Sequence, residues 1–229
     1  MKKPIATLFM LMSADGKITL GDNDSLDVDK DFPKIKGVKE GLPQYYQLEK
    51  MTDFYSLNSG RTLAKVGVNE WKNIKRTVVN FVVIDNQPHL NSKGLDNMLK
   101  KSKRLFLVTA NKNHPAFARK EEKNLEIIYF KNKIDFKKLF SILKEKFGVN
   151  RMTIQTGGAL NSVFLRAGLI DKLSIVVAPL LIGGKDTDSL ITGQSLKSVK
   201  EFAKIRALKL ISINKLKHSY INIKYRVLN

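Results

Sequence analysis

The stretch from Thr153 to Leu165 most constrains what this chain can fold into. Thr153-Ile154-Gln155 reads as the end of a buried strand. Thr156-Gly157-Gly158 breaks it, and Ala159-Leu160-Asn161-Ser162-Val163-Phe164-Leu165 continues at helical spacing. A strand that turns through glycines directly into a helix belongs to α/β architectures, and the glycines let backbone amides approach a phosphate at the positive end of the helix. A tight strand-to-helix turn without any ligand accounts for a glycine pair equally well. The context of the segment therefore has to decide between the two.

The rest of the chain keeps the same rhythm. Strand-like runs recur at Ile5 to Met12, Asp53 to Leu57, Val78 to Ile84, Arg104 to Thr109, Leu125 to Phe130, Arg151 to Gln155 and Leu173 to Ala178. Helical patterns separate several of them: Leu42 to Met51, entered through Pro43, Thr62 to Val66, Ser92 to Lys101, Asp135 to Phe147 and Ala159 to Ala167. In the fourth of these, Phe136, Leu139, Phe140, Leu143 and Phe147 share one face, with Asp135 placed as N-cap. The tail changes period. Leu208 to Ile213 and Tyr220 to Tyr225 alternate around the polar Lys217-His218-Ser219, the pattern of a β-hairpin. The expected fold is an α/β three-layer sandwich with a mostly parallel central sheet and a C-terminal antiparallel hairpin, formed by residues 1–229 as a single domain. Asp22 to Gly41, polar and charged, is expected to be a long loop with a role over a substrate pocket.

Composition narrows the chemistry. With 43% of residues apolar the chain can bury a substantial core, and no apolar run is long enough to span a bilayer as a helix. The apolar start ends at Ser13-Ala14-Asp15-Gly16, a turn rather than a cleavage site, so a buried first strand and a cytoplasmic location are expected. The absence of cysteine excludes disulfides, a thiol nucleophile and thiolate metal sites, including the Cys-x-x-Cys of zinc deaminases. His89, His114 and His218 lack ligand spacing and read as surface or loop residues, so no metal is expected. The formal net charge of +20 could mark a nucleic-acid partner, but lysines spread from Lys2 to Lys224 among acidic residues argue for a solvated surface instead. That charge would still attract an anionic cofactor or substrate.

Four segments carry a resemblance. Gln155-Thr156-Gly157-Gly158 leads to Ala167-Gly168-Leu169-Ile170-Asp171-Lys172-Leu173 and then to Ala178-Pro179-Leu180-Leu181-Ile182-Gly183-Gly184. Met12-Ser13-Ala14-Asp15-Gly16-Lys17-Ile18 opens the chain, and Ser59-Gly60-Arg61-Thr62-Leu63 and Val82-Val83-Ile84-Asp85-Asn86 lie between. In chain order they resemble the pyrimidine-reductase domain of bacterial riboflavin biosynthesis, in the dihydrofolate-reductase-like superfamily. The resemblance implies an NADPH-dependent reductase of a small heterocyclic substrate and a homodimer. It implies cofactor contacts at Met12, Thr62, Asn86 and the stretch Gly157, Gly158, Ala159, Leu160, Asn161, Ser162 and Val163, with Ser13 and Gln155 on the substrate side. Arg61, or Lys112, could meet the 2′-phosphate that distinguishes NADPH, a task suited to a guanidinium fork. Asp15 is the nearest carboxylate to supply a proton, though an Asp-Gly dipeptide is also a favoured turn.

The sequence departs from that family on the substrate side. Gln155 stands where the family has an acidic residue, Phe9 where it has a lysine and Glu49 near an arginine position, and Ala64 to Trp71 replaces a polar segment. The chain opens at the reductase's first strand, so a stand-alone reductase is expected. A dihydrofolate or pterin reductase, or a nucleotide- or nucleic-acid-binding protein without catalysis, are the alternatives.

Overall fold

The structure, a computed structural model, describes residues 2–228. The elements run β1 (Ile5–Ser13), α1 (Val28–Asp31), α2 (Leu42–Glu49), β2 (Tyr55–Ser59), α3 (Gly60–Lys65), β3 (Asn80–Ile84), α4 (Ser92–Lys101), β4 (Arg104–Thr109), β5 (Leu125–Tyr129), α5 (Phe136–Glu145), β6 (Arg151–Gln155), α6 (Gly158–Arg166), β7 (Lys172–Ala178), β8 (Ala207–Lys215) and β9 (Ile221–Leu228). The chain packs as two compact units, one of Met1–Pro4 and Asp53–Thr156, the other of Ile5–Thr52 and Gly157–Asn229. No helix among the described residues is long and apolar enough to cross a membrane.

In the first unit the strands lie in the order β5-β4-β3-β2-β6, with parallel pairings. Parallel strands need crossovers that cover both faces of the sheet, so β3 and β4 are near-continuous apolar runs. Val83, Leu105 and Leu107 point to one face and pack with Leu63 of α3 and Leu95 and Met98 of α4. Phe106, one residue out of phase, meets Phe147 edge-on beyond the end of α5, with ring centroids 4.9 Å apart. Leu139, Phe140 and Leu143 of α5 are fully buried, each contributing about 1.5–3 kcal/mol. The helix starts are those the sequence indicated: Asp135 accepts from the Lys138 amide at 3.0 Å and Asn91 from the Gly94 amide at 2.8 Å.

The second unit orders its strands β1-β7-β9-β8. β1 and β7 are parallel, whereas β9 runs antiparallel to both β7 and β8, which is the expected hairpin. Pro43 opens α2, and its Tyr45 lies flat on Phe9 of β1 with centroids 5.1 Å apart. The segment from Asp22 to Gly41 is not the irregular loop its polarity suggested. It holds α1, capped by Asp27, then a 3-10 turn at Phe32–Lys34, and it buries Phe32 and Val38 in the cluster formed with Phe9, Leu11 and Tyr45. Val28 and Ile35 pack against the same cluster, so four apolar side chains anchor a stretch whose mean composition is charged.

Two features of this unit were not legible in the alternation of the tail. β8 buries none of its residues, and Leu208, Leu210, Ile211 and Ile213 are all exposed at the last position of the strand order. A register shift between Leu210 and Ser212 breaks the two-residue period. Tyr220, in contrast, is fully buried and donates its hydroxyl to the Val38 carbonyl at 2.8 Å, while burial pushes its phenol up to about 12. Its ring edge lies 2.4 Å from where a Cβ on Gly41 would stand. Gly41→Ala is therefore expected to overpack this contact and to lower stability by about 1–3 kcal/mol, read as a reduced urea midpoint at unchanged m-value. An unchanged midpoint would show that the tyrosine can move aside.

Candidate active site

In the second unit, three segments distant in sequence are bound together. At the end of β1 the chain turns through Gly16, whose φ of +80° suits glycine. The Asp15 carboxylate accepts from the Ser13 hydroxyl and from the amides of Ile182 and Gly183, the last at 2.6 Å. Lys17 answers with the opposite charge, donating from Nζ to the carbonyls of Gly184 and Thr187, each at 2.8 Å. The "S-x-D-G" turn and the "P-L-L-I-G-G" strand exit, read in the sequence as separate signatures, are thus two halves of one latch.

Residues 188–192 extend this latch to α6. The Leu190 amide donates to the Gly16 carbonyl at 3.0 Å, Asn161 Nδ2 donates to the Leu190 carbonyl at 3.0 Å, and the Thr192 amide donates to the Gly158 carbonyl at 3.1 Å. The two glycines of the turn then separate in purpose. A Cβ on Gly158 would stand 2.3 Å from the Ser189 carbonyl oxygen, so this glycine is required by packing. A Cβ on Gly157 would meet nothing within 4 Å, and its backbone is extended at φ −70°, open to any residue. Gly157 is also the N-cap of α6 and has no side chain with which to cap it. The first-turn amides of this nine-residue helix have no intrahelical acceptor, and no side chain of the N-cap residue meets them. Such an end accepts an anion.

Of the α6 residues named from the sequence, Asn161 and Ser162 are buried, with Asn161 spent on the strap, whereas Ala159 and Val163 are exposed and Leu160 is half-buried. Met12 is half-buried near the end of β1. Ser13 is buried, and its hydroxyl is occupied by Asp15 and by the Lys17 amide.

The first unit holds the remaining candidates. Ser59 caps α3 by accepting from the Thr62 amide at 3.1 Å, and its hydroxyl lies 2.8 Å from that of Thr62; Arg61 is exposed at the same turn. Asn86 follows β3 and accepts from the Ala110 amide at 2.8 Å, tying the ends of β3 and β4. Gln155, at the end of β6, accepts from the Ser56 hydroxyl at 3.0 Å, and Ser56 in turn accepts from Asn58 Nδ2 at 2.8 Å. Ser56 and Asn58 gave no sequence signal, because a serine and an asparagine inside a short strand look like weak strand residues rather than a polar row.

Asp85 is the residue the sequence undervalued most. It is almost fully buried and sits against the α3 entrance, where a Cβ on Gly60 would fall 2.2 Å from its carboxyl carbon. His114, expected as a surface or loop residue, does lie in a loop but is buried there and contacts Asp85 through Nε2 at 3.2 Å. Its place after β4 looks like a loop in sequence, but it caps the 3-10 turn at Pro115–Arg119 and turns inward to the carboxylate. Among the described residues no group of three or more histidines or carboxylates could hold a metal ion.

A parallel sheet, a helix entered through bare glycines and an antiparallel terminal hairpin define an α/β protein of the reductase-type fold. Its solved counterparts include RibD of Acinetobacter baumannii, 17% identical with a TM-score of 0.67 over 99% of this chain and 59% of that one. Another is the riboflavin biosynthesis reductase Rib7 of Saccharomyces cerevisiae, 16% identical with a TM-score of 0.63 over 99% and 90%. The chain belongs to the RibD C-terminal domain family, which it matches over residues 4–221. Among curated relatives, it is similar to the 2,5-diamino-6-ribosylamino-4(3H)-pyrimidinone 5′-phosphate reductase of Methanothermobacter thermautotrophicus, 30% identical over 54 residues, 24% of this chain and 25% of that protein. It is 29% identical over 91 residues to the protein of that name from Archaeoglobus fulgidus, 39% of this chain and 41% of that protein. These matches therefore span well under two thirds of the relatives' length.

The hydroxyl of Ser13 first, and then the Gly183 amide, hold the Asp15 carboxyl well below the usual range, at about 2. Its folded value is lower than its unfolded one, so the latch contributes stability above the unfolded value, near 3.8, and loses it as pH falls toward 2. Asp15→Asn is expected to flatten the acid dependence of the unfolding midpoint between about pH 4 and 2 relative to the unaltered protein. Identical pH profiles for the two proteins would contradict the latch.

Proposed function

We propose that residues 1–229 act as one NADPH-dependent reductase domain of the riboflavin-pathway pyrimidine class, reducing a ribosylamino-pyrimidine phosphate in the cytoplasm. The observation that carries this reading is the first turn of α6, where Gly157 supplies no side-chain cap and a Cβ on it would meet nothing within 4 Å. Those features suit a dinucleotide diphosphate: the Gly158, Ala159 and Leu160 amides would hold its oxygens, and the following residues through Val163 would flank it. Met12 would line the nicotinamide pocket, and Arg61, Thr62 and Asn86 would contact the remainder of the cofactor. When bound, the nicotinamide supplies the hydride, so the protein's task is orientation and a dry site.

In this reading Asp15 positions rather than protonates. A carboxyl held at about 2 by a hydroxyl and two amides is ionised at neutral pH and has no proton to give. On the substrate side, Gln155 presents a neutral amide linked to Ser56 and Asn58, matched to the polar edge of an uncharged heterocycle, while Ser13 shapes the turn. Phe9, stacked on Tyr45, is closed to any ionic role, so the substrate phosphate must be gripped by groups other than a lysine at that position.

The exposed leucines and isoleucines of β8 support a homodimer. A second copy would cover a row of unpaired edge groups that a soluble monomer rarely leaves apolar. Sedimentation is expected to give twice the chain mass, and Ile211→Lys with Ile213→Lys to yield monomers; a monomeric starting protein would contradict this.

The decisive variant is Gly157→Glu, whose side chain enters open space and adds negative charge in front of α6. It is expected to leave the melting temperature within a few degrees while weakening NADPH binding by at least about tenfold in calorimetry. Unaltered affinity would remove α6 from the binding site.

A further inference from the structure

Asp85 is too heavily engaged to be an incidental buried acid. One oxygen accepts from the His89 amide at 3.0 Å and lies 3.1 Å from His89 Nδ1; the other accepts from the Leu90 amide at 3.0 Å and lies 3.2 Å from His114 Nε2. The tautomer of His114 follows from its second nitrogen. Nδ1 accepts from the Ala116 amide at 3.1 Å, so Nε2 carries the proton and donates to Asp85 as a neutral ring. His89 is the second imidazole on this carboxylate. The carboxylate side chain has no solvent exposure, whereas the His89 side chain keeps 34%.

The arrangement is therefore a pair with a buried anchor and an accessible tip. Asp85 orients the ring by taking Nδ1–H, which leaves Nε2 as the tip directed away from the carboxylate. Around it lie residues that the family resemblance gives to the cofactor. Gly60 lies against Asp85 where a methyl group could not, bringing the Arg61 and Thr62 turn close, and Asn86 is the next residue along the chain. Both segments follow the carboxyl ends of adjacent parallel strands, β2 and β3, where ligands of open α/β sheets bind.

We propose that His89, held by Asp85, contacts the 2′-phosphate of the dinucleotide and so selects the phosphorylated cofactor. This rests on the reading that the chain binds a nicotinamide dinucleotide. His89 is the specificity contact, and Asp85 is a positioning residue that acts through it. A phosphate oxygen facing Nε2 completes a carboxylate–imidazolium–phosphate row in which the ring stands between two anions, and a ribose hydroxyl in its place offers no such charge.

The test compares NADPH and NADH in calorimetric titrations of the unaltered protein, His89→Ala and His89→Arg. His89→Ala is expected to weaken NADPH by about tenfold or more while leaving NADH within about twofold, and His89→Arg to restore most of the preference. The second measurement needs no variant: the His89 ring nitrogens of the unaltered protein should shift in NMR spectra on addition of 2′,5′-ADP and not of 5′-AMP. Equal weakening of both dinucleotides, no weakening of either, or ring nitrogens that 2′,5′-ADP leaves unmoved would overturn the assignment. Unaltered protein that binds neither dinucleotide would instead overturn the cofactor reading on which it rests.

Discussion

Residues 182–192 tie turns that are more than a hundred positions away from one another in sequence, and the candidate site of the second unit depends on that tie. The strap is fastened at one end by opposite charges, Asp15 on two amides and Lys17 on two carbonyls. At the other end it lies so close to α6 that Gly158 has no room for a side chain. The consequence for function is rigidity where it matters. The helix end is held by Asn161 and Thr192, and the adjoining Gly157 brings no side chain to cap its amides. A preorganised end of this kind binds an anion without first having to be ordered.

The first unit uses a different economy. There the central element is a buried carboxylate satisfied on both oxygens, which turns one histidine inward as a neutral donor and aims another toward solvent. Burial of an acid is tolerated only when its acceptors are filled, and Asp85 fills them with two backbone amides and two imidazoles. Removing its charge would therefore disturb the ends of β3 and β4 together with the tip of His89.

Much of the architecture was legible in the residues because local pattern and burial agree in it. The apolar runs of β3 and β4, the Asp135 cap, Pro43 and the hairpin around Lys217 each declare themselves within a few positions. Where the reading departed from the fold, the deciding partner lay far off in sequence. Phe32 and Val38 fold a segment whose charge suggests a loop, and His114 turns inward because of a carboxylate 29 residues earlier. Asp15 was legible as a turn and as a nearby carboxylate, but its partners at Ile182 and Gly183 lie 167 and 168 positions away, and those partners set its charge. The glycine pair was legible as a pair. Which glycine is needed for packing and which leaves space became visible only with Ser189 in place.

The first turn of α6 is proposed to receive the dinucleotide. Amide chemical shifts recorded during a titration with NADP+ test it most directly. The largest changes are predicted at Gly158, Ala159 and Leu160, saturating with the dinucleotide and absent with nicotinamide riboside, which lacks phosphate. Saturable binding that leaves those three amides unmoved would contradict the claim.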